Sequence, residues 1–202
     1  VYSDEELMEI MGTAVKVSKA HPVLIDKYLT NALEIDVDAV CDGERTYVGG
    51  VLEHVEFAGV HSGDASMVLP PQSLSKDMLD RIDDITERMA VALGTKGLIN
   101  LQLAIKDDDI YIIEANPRAS RTVPFISKTT GVSLAKLATK VMLGHTLDEY
   151  KLPSYRDLNY VSVKSSAFPF DKLKGVDSIL GPEMKSTGEI MGLDREFGMA
   201  FY

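Results

Sequence analysis

The chain has 202 residues, 45% of them apolar, a formal charge of −10 and one cysteine, enough to bury a substantial core in one lobe or two. The negative balance excludes a nucleic-acid binder, which would need a basic patch against phosphates, and no apolar run approaches the roughly 20 residues of a membrane span. Cys41 alone forbids an intrachain disulfide, so with no leader-like segment the expectation is a cytoplasmic protein.

In chain order, Ser3 and Glu6 form a capping box for a helix with Leu7, Ile10, Met11 and Ala14 on one face. Past Pro22, which cannot continue a helix, residues 23–29 predict a strand. Residues 34–41 and 46–57 predict a hairpin closed by Asp42 and Gly43, with Cys41 as a small packing residue. Glu34, Asp36 and Asp38 alternate there with Ile35, Val37 and Ala39, the pattern of the wet side of a half-buried strand. Gly59 and Gly63 flank His61 in what reads as a turn, and residues 65–69 predict a short strand stopped by Pro70. Ser75 opens a second helix in which Met78, Leu79, Ile82, Ile85, Met89 and Leu93 recur at helical spacing, with Gly94 just past its end.

Residues 98–106 and 110–116 alternate apolar and polar on either side of Asp107, Asp108 and Asp109, which predicts a second hairpin. Pairing Lys106 with Ile110 sets Gln102 opposite Glu114 and Asn100 opposite Asn116, side by side at roughly 4.5–5.5 Å between Cβ atoms. Ile99, Leu101, Leu103, Ile105, Tyr111 and Ile113 then form the apolar face. Carboxylate and amide oxygens without His or Cys suit Mg²⁺ or Mn²⁺ rather than zinc, and Arg118 and Arg121 follow at once to bear on the same phosphate oxygens. A helix from Ser133 turns Leu134, Leu137, Ala138, Val141 and Met142 inward and ends at Gly144; residues 160–165 alternate like a strand, and Phe168 and Phe170 belong to a packed loop. Lys185 to Gly188 lack P-loop spacing and read as a turn, and His21, His54 and His145 read as packing or surface residues.

The run from residues 114 to 131 resembles the metal-binding strand of the ATP-grasp ligases and, among them, the carbamoyl-phosphate synthetase large-chain family. Residues 34–43, 53–64 and 181–192 agree in order, and the runs 121–125 and 61–64 resemble the second of that family's two halves, the one that phosphorylates carbamate. The resemblance implies an α+β fold: an ATP-grasp C-terminal lobe, largely an antiparallel sheet with packed helices. It would span residues 1–202 as a partial domain, with a nucleotide- and metal-binding lobe over about 1–145 and an extension over about 146–202.

It further implies that Gln102, Glu114 and Asn116 hold the metal ions on ATP, that Asn116, Arg118 and Arg121 act at the transferred phosphoryl group, and that Glu34 accepts the ribose hydroxyls. Lys27 and Leu29 would line the adenine edge, and Gly59, Val60, His61 and Ser62 a wall of the nucleotide pocket. The implied cofactors are ATP and Mg²⁺ or Mn²⁺, with K⁺ as a further candidate; the implied partners are the rest of the large chain, a glutamine amidotransferase small chain, and carbamate as substrate. The family's glycine-rich phosphate loop would precede Val1, so the chain alone is expected to be inactive. Another ATP-grasp carboxylate ligase and a catalytically silent assembly module are the alternatives.

Overall fold

A computed structural model of the chain describes residues 1, 3–17, 23–172, 175 and 177–202, in two units, Val1–Thr30 and Asn31–Tyr202. In the first, α1 (Asp4–Val17) starts where the capping box places it, the Ser3 hydroxyl accepting from the Glu6 amide at 3.2 Å. Residues 23–29 form no strand, contrary to expectation: Leu24, Ile25 and Tyr28 are exposed, so their apolar spacing has no sheet to join. His21 lies outside the described residues.

The second unit is built on one antiparallel sheet of β1 (Leu33–Cys41), β2 (Thr46–His54), β3 (Met67–Leu69), β4 (Gly97–Lys106), β5 (Asp109–Asn116), β6 (Val161–Ala167) and β7 (Gly188–Asp194). The spatial order is β5-β4-β1-β2-β3-β6-β7. Helices α2 (Lys76–Ala92), α3 (Val123–Thr130) and α4 (Leu134–Met142) share the main core with Ile35, Val37, Ala39, Ile99, Leu101 and Leu103, and Cys41 is buried there as anticipated. The short α5 (Phe197–Phe201) covers a smaller cluster of Val68, Val161 and Val163. It approaches β7 so closely that a Cβ on Gly192 would lie 1.9 Å from the Ala200 carbonyl oxygen, which leaves only glycine there. That glycine-punctuated segment is an edge strand that the sequence does not announce.

The β4–β5 hairpin turns on Asp107 and Asp108 alone, both at positive φ (51° and 64°), the signature of a type I′ turn. Lys106 therefore pairs with Asp109, not Ile110, but a bulge between Gln102 and Leu103 shifts the register by one residue and restores Gln102 opposite Glu114 and Asn100 opposite Asn116. The same bulge reverses the faces along β5. Ile110 and Ala115 pack on the core, while Tyr111 and Ile113, expected inside, are 40% and 56% exposed on this edge strand. Two helix ends also depart from the expected stripe. Leu93, the C-cap of α2, and Met142, the last residue of α4, are exposed because they lie past the final buried turn, although Met142 reaches over Gly97.

Candidate functional site

The polar face of β1 is not wet. Asp36 and Asp38 are 3% and 0% exposed, a correction to the half-buried reading, and both accept from the Asn100 amide on β4 at 3.1 and 3.2 Å. Asp38 also accepts from the Ser120 hydroxyl at 2.6 Å and from that of Thr122. Burial pushes the Asp38 carboxyl up to about 6 despite these donors. What the carboxylate achieves is a tie between the sheet and residues 120–122, just after Arg118, which anchors the loop from β5 to α3.

His54, expected to be a packing residue, bridges the carboxylates of β1. Its Nε2 lies 2.8 Å from Asp36 and its Nδ1 3.3 Å from Glu34, whose other oxygen accepts from the Gly59 amide at 3.2 Å. Burial opposes protonation, but the hydrogen bonds to Asp36 and Glu34 outweigh it and raise the imidazole to about 9. A folded-state value above the ordinary 6.5 means that the contribution to stability is complete below pH 6.5 and lost as pH rises through 9. Melting temperatures of the 202-residue chain should thus fall between pH 6.5 and 9, above the range in which Asp38 titrates, and His54→Gln should flatten that slope. Parallel curves for the two proteins would show the buried imidazole to be neutral. His145, by contrast, pairs with Glu149 at 2.7 Å, an i,i+4 spacing that the sequence does display.

The predicted metal donors meet as the register requires. The Asn116 amide donates to Glu114 at 2.7 Å and the Gln102 amide to the Ser62 hydroxyl at 2.9 Å, which leaves both amide oxygens and the second Glu114 oxygen as acceptors. Among the described residues no three of His, Cys, Asp and Glu are grouped to hold a metal. One carboxylate with amide oxygens is instead the donor set that suits a hard divalent cation completed by substrate phosphates, so these residues fit Mg²⁺ or Mn²⁺.

A cavity of about 140 Å³ gathers His61, Ser62, Gln102, Glu114, Arg118 and Arg121 with Asn100, which the hairpin register places in the same patch, and adds Asp36, Ser120 and Lys164, for which the sequence offers no role. Arg118 donates to the neighbouring Ala119 carbonyl at 3.1 Å. Arg121 is tied more firmly, its Nε 3.2 Å from Glu189 on β7 and its Nη1 3.4 Å from the Ser186 hydroxyl. His61 donates its amide to the Gly181 carbonyl at 2.8 Å, and Val60 packs against the core. Lys27 and Leu29 belong to the unit Val1–Thr30, outside the unit that builds this cavity. Residues 185–187, expected to be a turn, are irregular chain leading into β7, which begins at Gly188: the amides of Lys185 and Ser186 donate to the Asp64 carboxylate at 2.8 and 2.9 Å, and Lys185 Nζ caps the carbonyls of Asp177 and Ile179. No helix among the described residues is long and apolar enough to cross a membrane.

Residues 1–150 match the family model described as the carbamoyl-phosphate synthase L chain, ATP binding domain. The whole chain is 55% identical to part of the C-terminal section of the carbamoyl phosphate synthase large chain of Methanocaldococcus jannaschii, of which it covers 34%. It is 56% identical to part of the large chain of Methanothermobacter thermautotrophicus, of which it covers 19%. The chain therefore spans only a third to a fifth of these relatives. Its fold is similar to that of the biotin carboxylase domain of a thermophilic 2-oxoglutarate carboxylase bound to bicarbonate, with a TM-score of 0.65 over 81% of this chain and 38% of that one, at 19% identity.

Proposed function

Because this chain belongs to the family of carbamoyl-phosphate synthase large-chain ATP-binding domains, we propose that it is the metal- and phosphate-binding lobe of the ATP-grasp unit that phosphorylates carbamate to carbamoyl phosphate. The observation that carries the reading is the convergence of Gln102, Glu114, Arg118 and Arg121 with His61 and Ser62 on one cavity. These residues come from three separate stretches of chain, 61–62, 102 and 114–121, and a solvated strand face would not gather them. The proposed unit is a partial ATP-grasp domain within a larger cytoplasmic enzyme of pyrimidine and arginine biosynthesis. Its partners are the rest of the large chain and a glutamine amidotransferase small chain.

Catalysis in this reading is positioning and electrostatics. Gln102, Glu114 and Asn116 would hold Mg²⁺ or Mn²⁺, which when bound neutralises charge on the ATP phosphates. Arg118, with its guanidinium at the exposed rim of the cavity, is placed to meet charge on the phosphoryl group in flight. Asp38, through Ser120 and Thr122, keeps the loop that carries Arg118 in one arrangement. Donors on both sides of the transferred group are needed, so the lobe by itself is inactive.

Glu34 tests the nucleotide end. Its side chain, held by His54 and Gly59, remains 24% exposed, which leaves carboxylate surface for ribose hydroxyls. In an intact large chain Glu34→Ala should weaken ADP binding in this half by roughly 10- to 100-fold, the scale of a lost hydrogen bond to a charged group, as calorimetry would read it. Unaltered affinity would remove Glu34 from the nucleotide site.

A further inference from the structure

Lys164 is the buried charge that the metal and arginine roles leave unexplained. It rises from the middle of β6, paired with Met67 and Met191, and is 1% exposed, yet it lines the cavity beside Asp36, Gln102 and Arg121. Its Nζ reaches one carbonyl, that of Ser62, at the long distance of 3.5 Å. Among the described residues no carboxylate approaches within ion-pair distance of it. An ammonium has three protons to place, and burying it without a partner is costly. Burial accordingly depresses its pKa, against the pull of Glu189 and Asp36. A lysine in this condition is half of an ion pair whose other half arrives with a ligand.

Depth in the cavity decides which ligand. Glu114 and Arg118 are exposed at the rim and Gln102 is half-buried, whereas Lys164 is at the floor. The nucleotide phosphates, tied to the rim donors, would enter from that side. In-line transfer places the acceptor beyond the γ-phosphorus, on the side away from the leaving ADP. We propose that Lys164 is the acceptor-binding residue of this site, its ammonium holding an oxygen of a small carboxylate-like anion at the cavity floor; this rests on the phosphotransfer reading given above. An acceptor oxygen forms the new bond to phosphorus, the bond from phosphorus to the bridging oxygen breaks, and the electron pair leaves on ADP. Lys164 takes part by fixing the acceptor's charge, not by forming a bond.

The test is reverse transfer from carbamoyl phosphate to ADP in an intact large chain carrying Lys164→Met. The expected result is a KM for carbamoyl phosphate raised by roughly 10- to 100-fold, the scale of a charged donor lost from a buried anion site, with the KM for ADP unchanged within a factor of about 2. Equal rises in both KM values would assign Lys164 to the nucleotide phosphates and overturn the proposal, and unchanged KM values in a folded variant would make it structural. If Lys164→Met does not fold, Lys164→Arg decides by the same split, since it keeps the charge but displaces the donor. Should Glu114→Gln abolish reverse transfer while Lys164→Met leaves both KM values intact, the phosphotransfer reading stands and this inference falls. If neither variant affects it, both fall.

Discussion

Glu114→Gln in an intact large chain is expected to lower both carbamate phosphorylation and the reverse synthesis of ATP from ADP and carbamoyl phosphate by at least roughly 100-fold, the cost of removing one group that organises charge at a transition state. Glutamine is nearly the same size, and Glu114 lies at the exposed rim of the cavity, so the fold should survive. The hydrogen bond from the Asn116 amide can be kept by the glutamine oxygen. What is lost is the one carboxylate in the proposed metal set, and amide oxygens alone bind a divalent ion weakly. The bicarbonate-dependent ATPase, which the reading assigns to the other half of the enzyme, should persist. The ratio of the two partial reactions in this one variant is therefore the informative quantity. Persistence of reverse transfer with loss of the bicarbonate-dependent ATPase would reassign this chain to the first half, and no change in either would remove Glu114 from the metal set.

Why Glu114 was legible in the sequence and Lys164 was not comes down to the range over which each is determined. The β4–β5 hairpin is local, and its register came out right although its turn was misplaced by one residue, because the bulge at Gln102 moved the chain by one residue the other way. A bulge also hid the partner of Glu34. Continued without interruption from Cys41 opposite Thr46, the β1–β2 register would set Glu34 against Glu53. The extra residue Gly49, packed under Leu134, moves Glu53 opposite Ile35 and brings His54 to Glu34 instead. Asp36 and Asp38 have the alternation of a solvated strand, and it is Ser120 and Thr122, some 80 positions on, that bury and satisfy Asp38. Lys164 falls on the polar phase of β6 with Ser162 and Ser166, a pattern that reads as a solvated face; only the strand order, with β6 between β3 and β7, and the burial of Lys164 show a covered position. Helix α3 escaped notice because eight residues rich in β-branched side chains carry little helical signal, though Pro124 in its first turn and Gly131 at φ 74° mark both ends.

Asp38→Ala should be the most destabilising single change in the sheet unit, about 3 to 5 kcal/mol by the scale of breaking a buried charged network. Asn100, Ser120 and Thr122 would lose a common acceptor that is itself fully buried. The loop bearing Arg118 and Arg121 would lose its anchor with them, so phosphoryl transfer in an intact enzyme should fall along with stability. Asp38→Asn separates the charge from the contacts, since it keeps the shape and one acceptor. In the native chain the carboxyl titrates near 6, above its ordinary 3.8, so between these values the folded state holds a proton that the unfolded state has released, and stability falls as pH rises. The asparagine variant has no such loss. Denaturant midpoints of the 202-residue chain measured from pH 4 to 6.5 should therefore show the difference between wild type and Asp38→Asn moving steadily in the variant's favour. A difference that is constant with pH would mean that Asp38 is ionised throughout, held so by its hydroxyl donors. An Asp38→Ala protein within about 1 kcal/mol of wild type, the worth of one ordinary hydrogen bond, would mean that the loop is anchored by something other than this carboxylate.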